Sequence, residues 1–92
     1  MTRLEAVADG GRVEIDTEAV WPADTDTEEG VVANWFAREG RQLDAGETVC
    51  EIQVDKVSVD VPAPASGTLD ERTLNEGDEF ERGATLGWLR TP

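Results

Sequence analysis

The chain has no histidine and no tyrosine, one cysteine, one methionine and, among eight basic residues, one lysine. Each scarcity removes a class of chemistry. Without imidazole, His-based nucleophilic dyads and triads are excluded and the commonest metal ligand is missing. One cysteine with no histidine argues against a structural zinc site, whose four ligands are ordinarily cysteine and histidine. Cys50 has no partner for an internal disulfide, which implies a reducing compartment, and its neighbours Val49 and Ile52 mark it as a small core residue. No apolar run approaches the roughly 18 residues of a membrane span, and no signal-peptide apolar region opens the chain, so the expected location is cytoplasmic. Neither glycine-rich phosphate-cradling pattern, G-x-G-x-x-G or G-x-x-x-x-G-K-[ST], is present.

Positive charge is scarce as a whole. Eight Lys plus Arg against 21 Asp plus Glu leave a net charge of -13 over 92 residues, which repels nucleic-acid backbones and anionic membranes. So acidic and lysine-poor a surface suits a high-salt, halophilic setting, where screening weakens self-repulsion; full stability of the isolated domain at low ionic strength would count against that hypothesis. The carboxylate pairs Asp24/Asp26, Glu28/Glu29, Asp70/Glu71 and Asp78/Glu79 are expected at this acidity and read as solvated face rather than as an acid-base site.

What is present is alternation and repetition. Residues 1–11 show no sustained period and end in Gly10-Gly11, reading as a tail or a loose extra strand; Val13 and Ile15, then Ala19 and Trp21, alternate weakly as one or two strands broken near Asp16-Thr17. Pro22 ends that run, and 24–29 is an acidic, Thr-rich loop. Beyond it the chain repeats with a gap-free shift of 37 residues: Gly30 falls on Gly67, Val32 on Leu69, Glu39-Gly40 on Glu76-Gly77, Leu43 on Phe80, Gly46 on Gly83, Val49 on Leu86 and Ile52 on Leu89. Two copies cannot form a solenoid, so they imply one domain with internal two-fold symmetry. Helix signals are poor, and glycine at regular intervals between β-branched runs predicts an all-β domain whose two small sheets come largely from one repeat each. Trp21, Trp35, Phe36, Phe80 and Trp88 read as core or edge packing.

Lys56 stands where the pattern changes parity. From Ile52 to Val61 the apolar residues occupy even positions before Asp55-Lys56 and odd positions after it, as expected if these two residues form a tight turn with Val57 opposite Val54. A surface that otherwise uses arginine has kept one lysine at a projecting tip. A deprotonated amine can be acylated to a neutral amide and guanidinium cannot, so Lys56 is a candidate attachment point.

At these residues the sequence resembles a known family. Asp55-Lys56-Val57, followed by Val61-Pro62-Ala63-Pro64 and Ser66-Gly67, with Glu29-Gly30, Glu39-Gly40 and Gly46, is similar to the lipoyl domain of the acyltransferase component of 2-oxo-acid dehydrogenase complexes, over roughly Thr17 to Arg90. The resemblance implies a flattened barrel or sandwich of two four-stranded antiparallel sheets with quasi-two-fold symmetry. It implies a carrier without an active site of its own: 1–16 a tail or extra strand, 17–90 the carrier domain, 91–92 the start of a linker or the end of the chain. It also implies lipoic acid amide-linked to Lys56, with Asp55 and Val57 helping the modifying enzyme recognise the hairpin and Gly67 helping fix its geometry. The implied partners are a lipoate ligase or lipoyl transferase, a thiamin-diphosphate-dependent 2-oxo-acid decarboxylase, dihydrolipoamide dehydrogenase and the acyltransferase core. Departures are the longer N-terminal segment, the acidic stretch 24–28 and a stop at Thr91-Pro92, where such domains usually continue into a linker; an excised domain or a free-standing carrier would account for the last. The alternatives are a biotin carrier, which usually flanks its lysine with methionines, and an unmodified adaptor on the same fold.

Overall fold

The computed structural model describes residues 11–92; the expectation for residues 1–10 lies outside the described residues. Eight strands follow in order: β1 (Arg12–Ile15), β2 (Glu29–Trp35), β3 (Gln42–Leu43), β4 (Thr48–Val54), β5 (Val57–Pro62), β6 (Gly67–Arg72), β7 (Glu79–Glu81) and β8 (Gly87–Arg90). They form two four-stranded antiparallel sheets, ordered β1-β8-β6-β3 and β5-β4-β2-β7. The alternating residues of β2, β4, β6 and β8 supply Val32, Ile52, Val54, Leu69 and Leu89 to the core between the sheets, all fully buried.

The 37-residue repeat maps strand onto strand: β2 on β6, β3 on β7, β4 on β8. Each repeat keeps its two long strands in one sheet but sends its short strand, β3 or β7, to the other. The two copies therefore brace one another. Glu39 accepts a hydrogen bond from the Arg72 amide at 2.9 Å, and Glu76 accepts one from the Trp35 amide at the same distance. Gly40 donates to Leu69 and Gly77 to Val32, at 2.7 and 2.8 Å. The Glu-Gly signature thus has a physical meaning. Gly40 and Gly77 turn at φ of 94° and 90°, in the left-handed region where a Cβ is disfavoured, and the preceding glutamate reaches across to the partner repeat. Even the register shifts correspond, between Val32 and Asn34 in β2 and between Leu69 and Glu71 in β6.

Two local expectations change, while the strand expected at Val13 and Ile15 forms. The weak alternation through Ala19 and Trp21 is not a second strand; Glu18–Val20 forms a single 3-10 turn that carries the chain off β1. β1 is an outer strand of its sheet, pairing with β8 from Arg12↔Arg90 to Ile15↔Gly87, with Ile15 fully buried, so Arg12–Ile15 is integral to the sandwich. Phe36 is 51% exposed rather than packed, because it follows the buried Trp35 at the end of β2 and takes the opposite side of the strand. Trp21 and Phe80 do pack, edge to face with centroids 6.2 Å apart, and the Trp21 indole N–H donates to Thr27 O, tying down the acidic loop.

Candidate attachment hairpin

β4 and β5 pair over six register positions from Thr48↔Pro62 to Val54↔Val57, which leaves Asp55 and Lys56 as a two-residue turn. Val54 is fully buried beneath it, while Asp55 and Lys56 are exposed and Val57 is 45% exposed. Asp55 is the one non-glycine residue with positive φ, 58°, among those described. A positive φ at the first of two central residues belongs to the primed turns, whose twist matches the flanking strands. The turn is consequently anchored in the core on one side and projects a primary amine on the other. No carboxylate among the described residues lies within ion-pair distance of that amine.

The structure brings Asp55, Lys56 and Val57 together and leaves Gly67 elsewhere. Gly67 lies on β6 in the opposite sheet, where a Cβ would stand 2.6 Å from Arg90 O, so the contact it permits is β6 against β8. Its repeat mate Gly30 occupies the corresponding place near the hairpin. A Cβ there would meet the Phe80 ring at 2.8 Å and Gln53 O at 3.3 Å, both beside the turn. Gly30 and Phe80 are the residues beside the tip, and the repeat carries the signal for them: Gly30 falls on Gly67 and Phe80 on Leu43. The ends of β2 and β6 meet at the middle of the molecule, where Arg72 lies 5.6 Å over the Trp35 ring; the beginnings of these strands, Gly30 and Gly67, diverge toward opposite ends. Lys56 thus stands at the end opposite Gly11 and Thr91, which hydrogen-bond to one another.

A groove of about 480 Å³ runs beside the hairpin, lined among others by Glu29, Gly30, Asp55, Glu79, Phe80 and Glu81. Its two-fold copy, about 320 Å³, lies at the other end and is lined by the repeat mates, including Gln42, Leu43, Asp44, Ser66, Gly67 and Arg90. No group of three or more metal-ligating side chains occurs among the described residues. Cys50 is buried, and burial pushes its thiol pKa from an ordinary 9.0 up to about 12. It is a core residue. Arg82 is held by Glu18 and Glu28 at 2.8 and 3.7 Å, and the Glu18 hydrogen bond shifts its pKa further up.

A two-fold β sandwich that presents one amine on a core-anchored turn has the architecture of a carrier domain, a scaffold suited to displaying an attached group. The chain belongs to the biotin/lipoyl attachment family, whose model, described as "Biotin-requiring enzyme", matches residues 22–89. It is 40% identical over 58 residues to the dihydrolipoyllysine-residue succinyltransferase component of the 2-oxoglutarate dehydrogenase complex of Staphylococcus saprophyticus, covering 63% of this chain and 14% of that protein. It is 37% identical over 49 residues to the dihydrolipoyllysine-residue acetyltransferase component of the pyruvate dehydrogenase complex of Staphylococcus aureus, covering 53% of this chain and 11% of that protein. The chain therefore spans a small part of the curated relatives it matches. Among solved structures, the lipoyl domain of the 2-oxoglutarate dehydrogenase complex of Azotobacter vinelandii superposes with a TM-score of 0.64 at 31% identity, covering 88% of this chain and 95% of that one.

Proposed function

We propose that Lys56 is the attachment lysine of a lipoyl carrier serving a 2-oxo-acid dehydrogenase complex. The observation that carries this reading is the hairpin: the chain's one lysine occupies the outer position of a two-residue turn whose neighbour Val54 is locked in the core. The residues present fit such a group. Nζ is exposed, and acylation there would form the bond from nitrogen to the lipoyl carboxyl carbon, break the bond from that carbon to the activated carboxyl oxygen, which leaves with its activating group, and release the amine's proton to solvent. When bound, the lipoyl group supplies the disulfide ring that takes up acyl groups and reducing equivalents. The protein's share is presentation. Val54 and Val57 close the turn, Asp55 sets its twist, and the sandwich holds the tip rigid so that motion is confined to the arm.

Asp55 and Val57 as neighbours of the lysine, and relatives whose names specify dihydrolipoyllysine, support lipoyl over biotin. On this reading the partners are a lipoate ligase or lipoyl transferase, a thiamin-diphosphate-dependent decarboxylase, an acyltransferase core and dihydrolipoamide dehydrogenase. Incubation with lipoate, ATP and a lipoate ligase should add the mass of one lipoic acid less one water, mapped to Lys56, with none in Lys56→Arg. No gain in the native chain, or a gain that survives K56R, overturns the proposal.

A further inference from the structure

The internal two-fold supplies a control for the connections between strands. β1 and β5 are matched: each is the outer strand of its sheet, beside β8 or its mate β4, and each precedes one of the matched strands β2 and β6. Yet β5 reaches β6 through four residues, 63–66, whereas β1 reaches β2 through thirteen, 16–28. The scaffold closes with the short connection at one end, so the extra length at the Lys56 end is an addition to the fold. One residue grips it. Arg82, whose repeat mate is Ala45, donates its amide to Glu28 O at 2.7 Å and its guanidinium to Glu18 at 2.8 and 3.2 Å. The same guanidinium lies 3.7 Å from the Glu28 carboxylate and stacks 5.8 Å over the Trp21 ring.

This strap and the surface beside it carry charge of one sign. Residues 16–28 hold Asp16, Glu18, Asp24, Asp26 and Glu28 and no base. Thr27 puts the strap on the wall of the groove beside the hairpin, which is also lined by Glu29, Asp55, Glu79 and Glu81. None of these four is ion-paired among the described residues, and Glu29 faces Glu81 across β2 and β7. Arg82 is the one base within ion-pair distance of the strap among the described residues. What holds the strap down is therefore a set of contacts: the Arg82 clasp, the Trp21 indole bond to Thr27 O at 3.2 Å and the edge-to-face packing of Trp21 on Phe80. What lifts it is repulsion summed over charges spread along the strap and the groove rim. Spread repulsion falls away as the screening length shortens, whereas a close pair, a ring stack and a hydrogen bond lose far less.

We propose that residues 18–28 are a strap whose position is set by ionic strength, with Arg82 as its clasp: closed over Phe80 beside the Lys56 hairpin at high salt, and released as salt falls. Opening uncovers the Phe80 ring and takes Thr27 out of the groove wall, so the surface next to the lysine changes with salt while the sandwich does not. The device stands whether or not Lys56 carries a group. Strap and sandwich can be followed together in the isotopically labelled full chain at about 0.1 M and about 1 M salt, where screening lengths differ about threefold. The indole N–H of Trp21 reports the strap, and that of Trp35, bonded to Leu74 O, reports the sandwich. Hydrogen exchange at the Trp21 indole should slow roughly threefold or more at the higher salt, with Trp35 changing by less than about twofold. D24N/D26N, which removes two strap charges and leaves the clasp in place, should give the slow Trp21 rate already at the lower salt. R82A should speed Trp21 exchange roughly tenfold at the higher salt, with R82K recovering part of the loss and Trp35 unchanged in both. A Trp21 rate indifferent to salt and to D24N/D26N overturns the proposal, as does an R82A chain that keeps native protection at Trp21.

Discussion

Thr17 is fully buried, and its hydroxyl has no hydrogen-bond partner. It sits where β1 gives way to the 3-10 turn, and its carbonyl is already used by the Val20 amide. Removing an unsatisfied buried hydroxyl while keeping its shape relieves a desolvation penalty, so Thr17→Val should raise unfolding free energy by about 1 kcal/mol in urea denaturation. Cys50 makes the opposite point about burial. Its thiol keeps its proton to about pH 12 when folded, whereas the unfolded chain releases it near 9.0. Between these values the unfolded state binds fewer protons, so this contribution to stability is whole below about pH 9 and declines as pH rises. Native Cys50 should resist iodoacetamide at pH 8 and react once the chain is denatured. That inertness matters in a domain proposed to carry a disulfide ring, since exchange requires an accessible thiolate.

Among the elements, the two glutamates that cross between repeats are equivalent in sequence but not in burial. Glu76 satisfies the amide of the buried Trp35, whose indole also donates to Leu74 O at 2.8 Å, whereas Glu39 satisfies an amide at an exposed position. Leaving a buried donor unpaired costs about 1–3 kcal/mol, and an exposed one can turn to water. Glu76→Ala should therefore destabilise by about that amount and Glu39→Ala by well under 1 kcal/mol, as read from denaturant midpoints at constant slope. The hairpin was legible because a two-residue turn inverts the parity of alternation, and Val54 and Val57 record that inversion without any distant contact. Only the resemblance ties Gly67 to the hairpin. Its constraint is a close approach to Arg90, a residue 23 positions away whose proximity depends on β6 pairing with β8.

For the whole molecule, the net charge of -13 and the facing carboxylates on one sheet oppose compaction. Thermal unfolding followed from low to about 1 M salt should show a rising Tm, as screening shortens from about 30 Å toward 3 Å. A Tm independent of salt would remove the basis for a high-salt adaptation.

The amino-acid sequence by itself determined three things: that catalytic histidine chemistry is absent, that a 37-residue unit is used twice, and that the single lysine falls on a tight turn. All three are local or periodic, and a period or an absence can be read without knowing what touches what. Tertiary structure decided the rest. The exchange of β3 and β7 between sheets, the place of Gly30 and Phe80 beside the tip, the burial of Trp35 beside an exposed Phe36, and the gathering of unpaired carboxylates on the Lys56 sheet all follow from long-range strand pairing. The physical reason is that register between strands far apart in the chain sets which side chains share a face, and alternation along one strand carries no record of its partner.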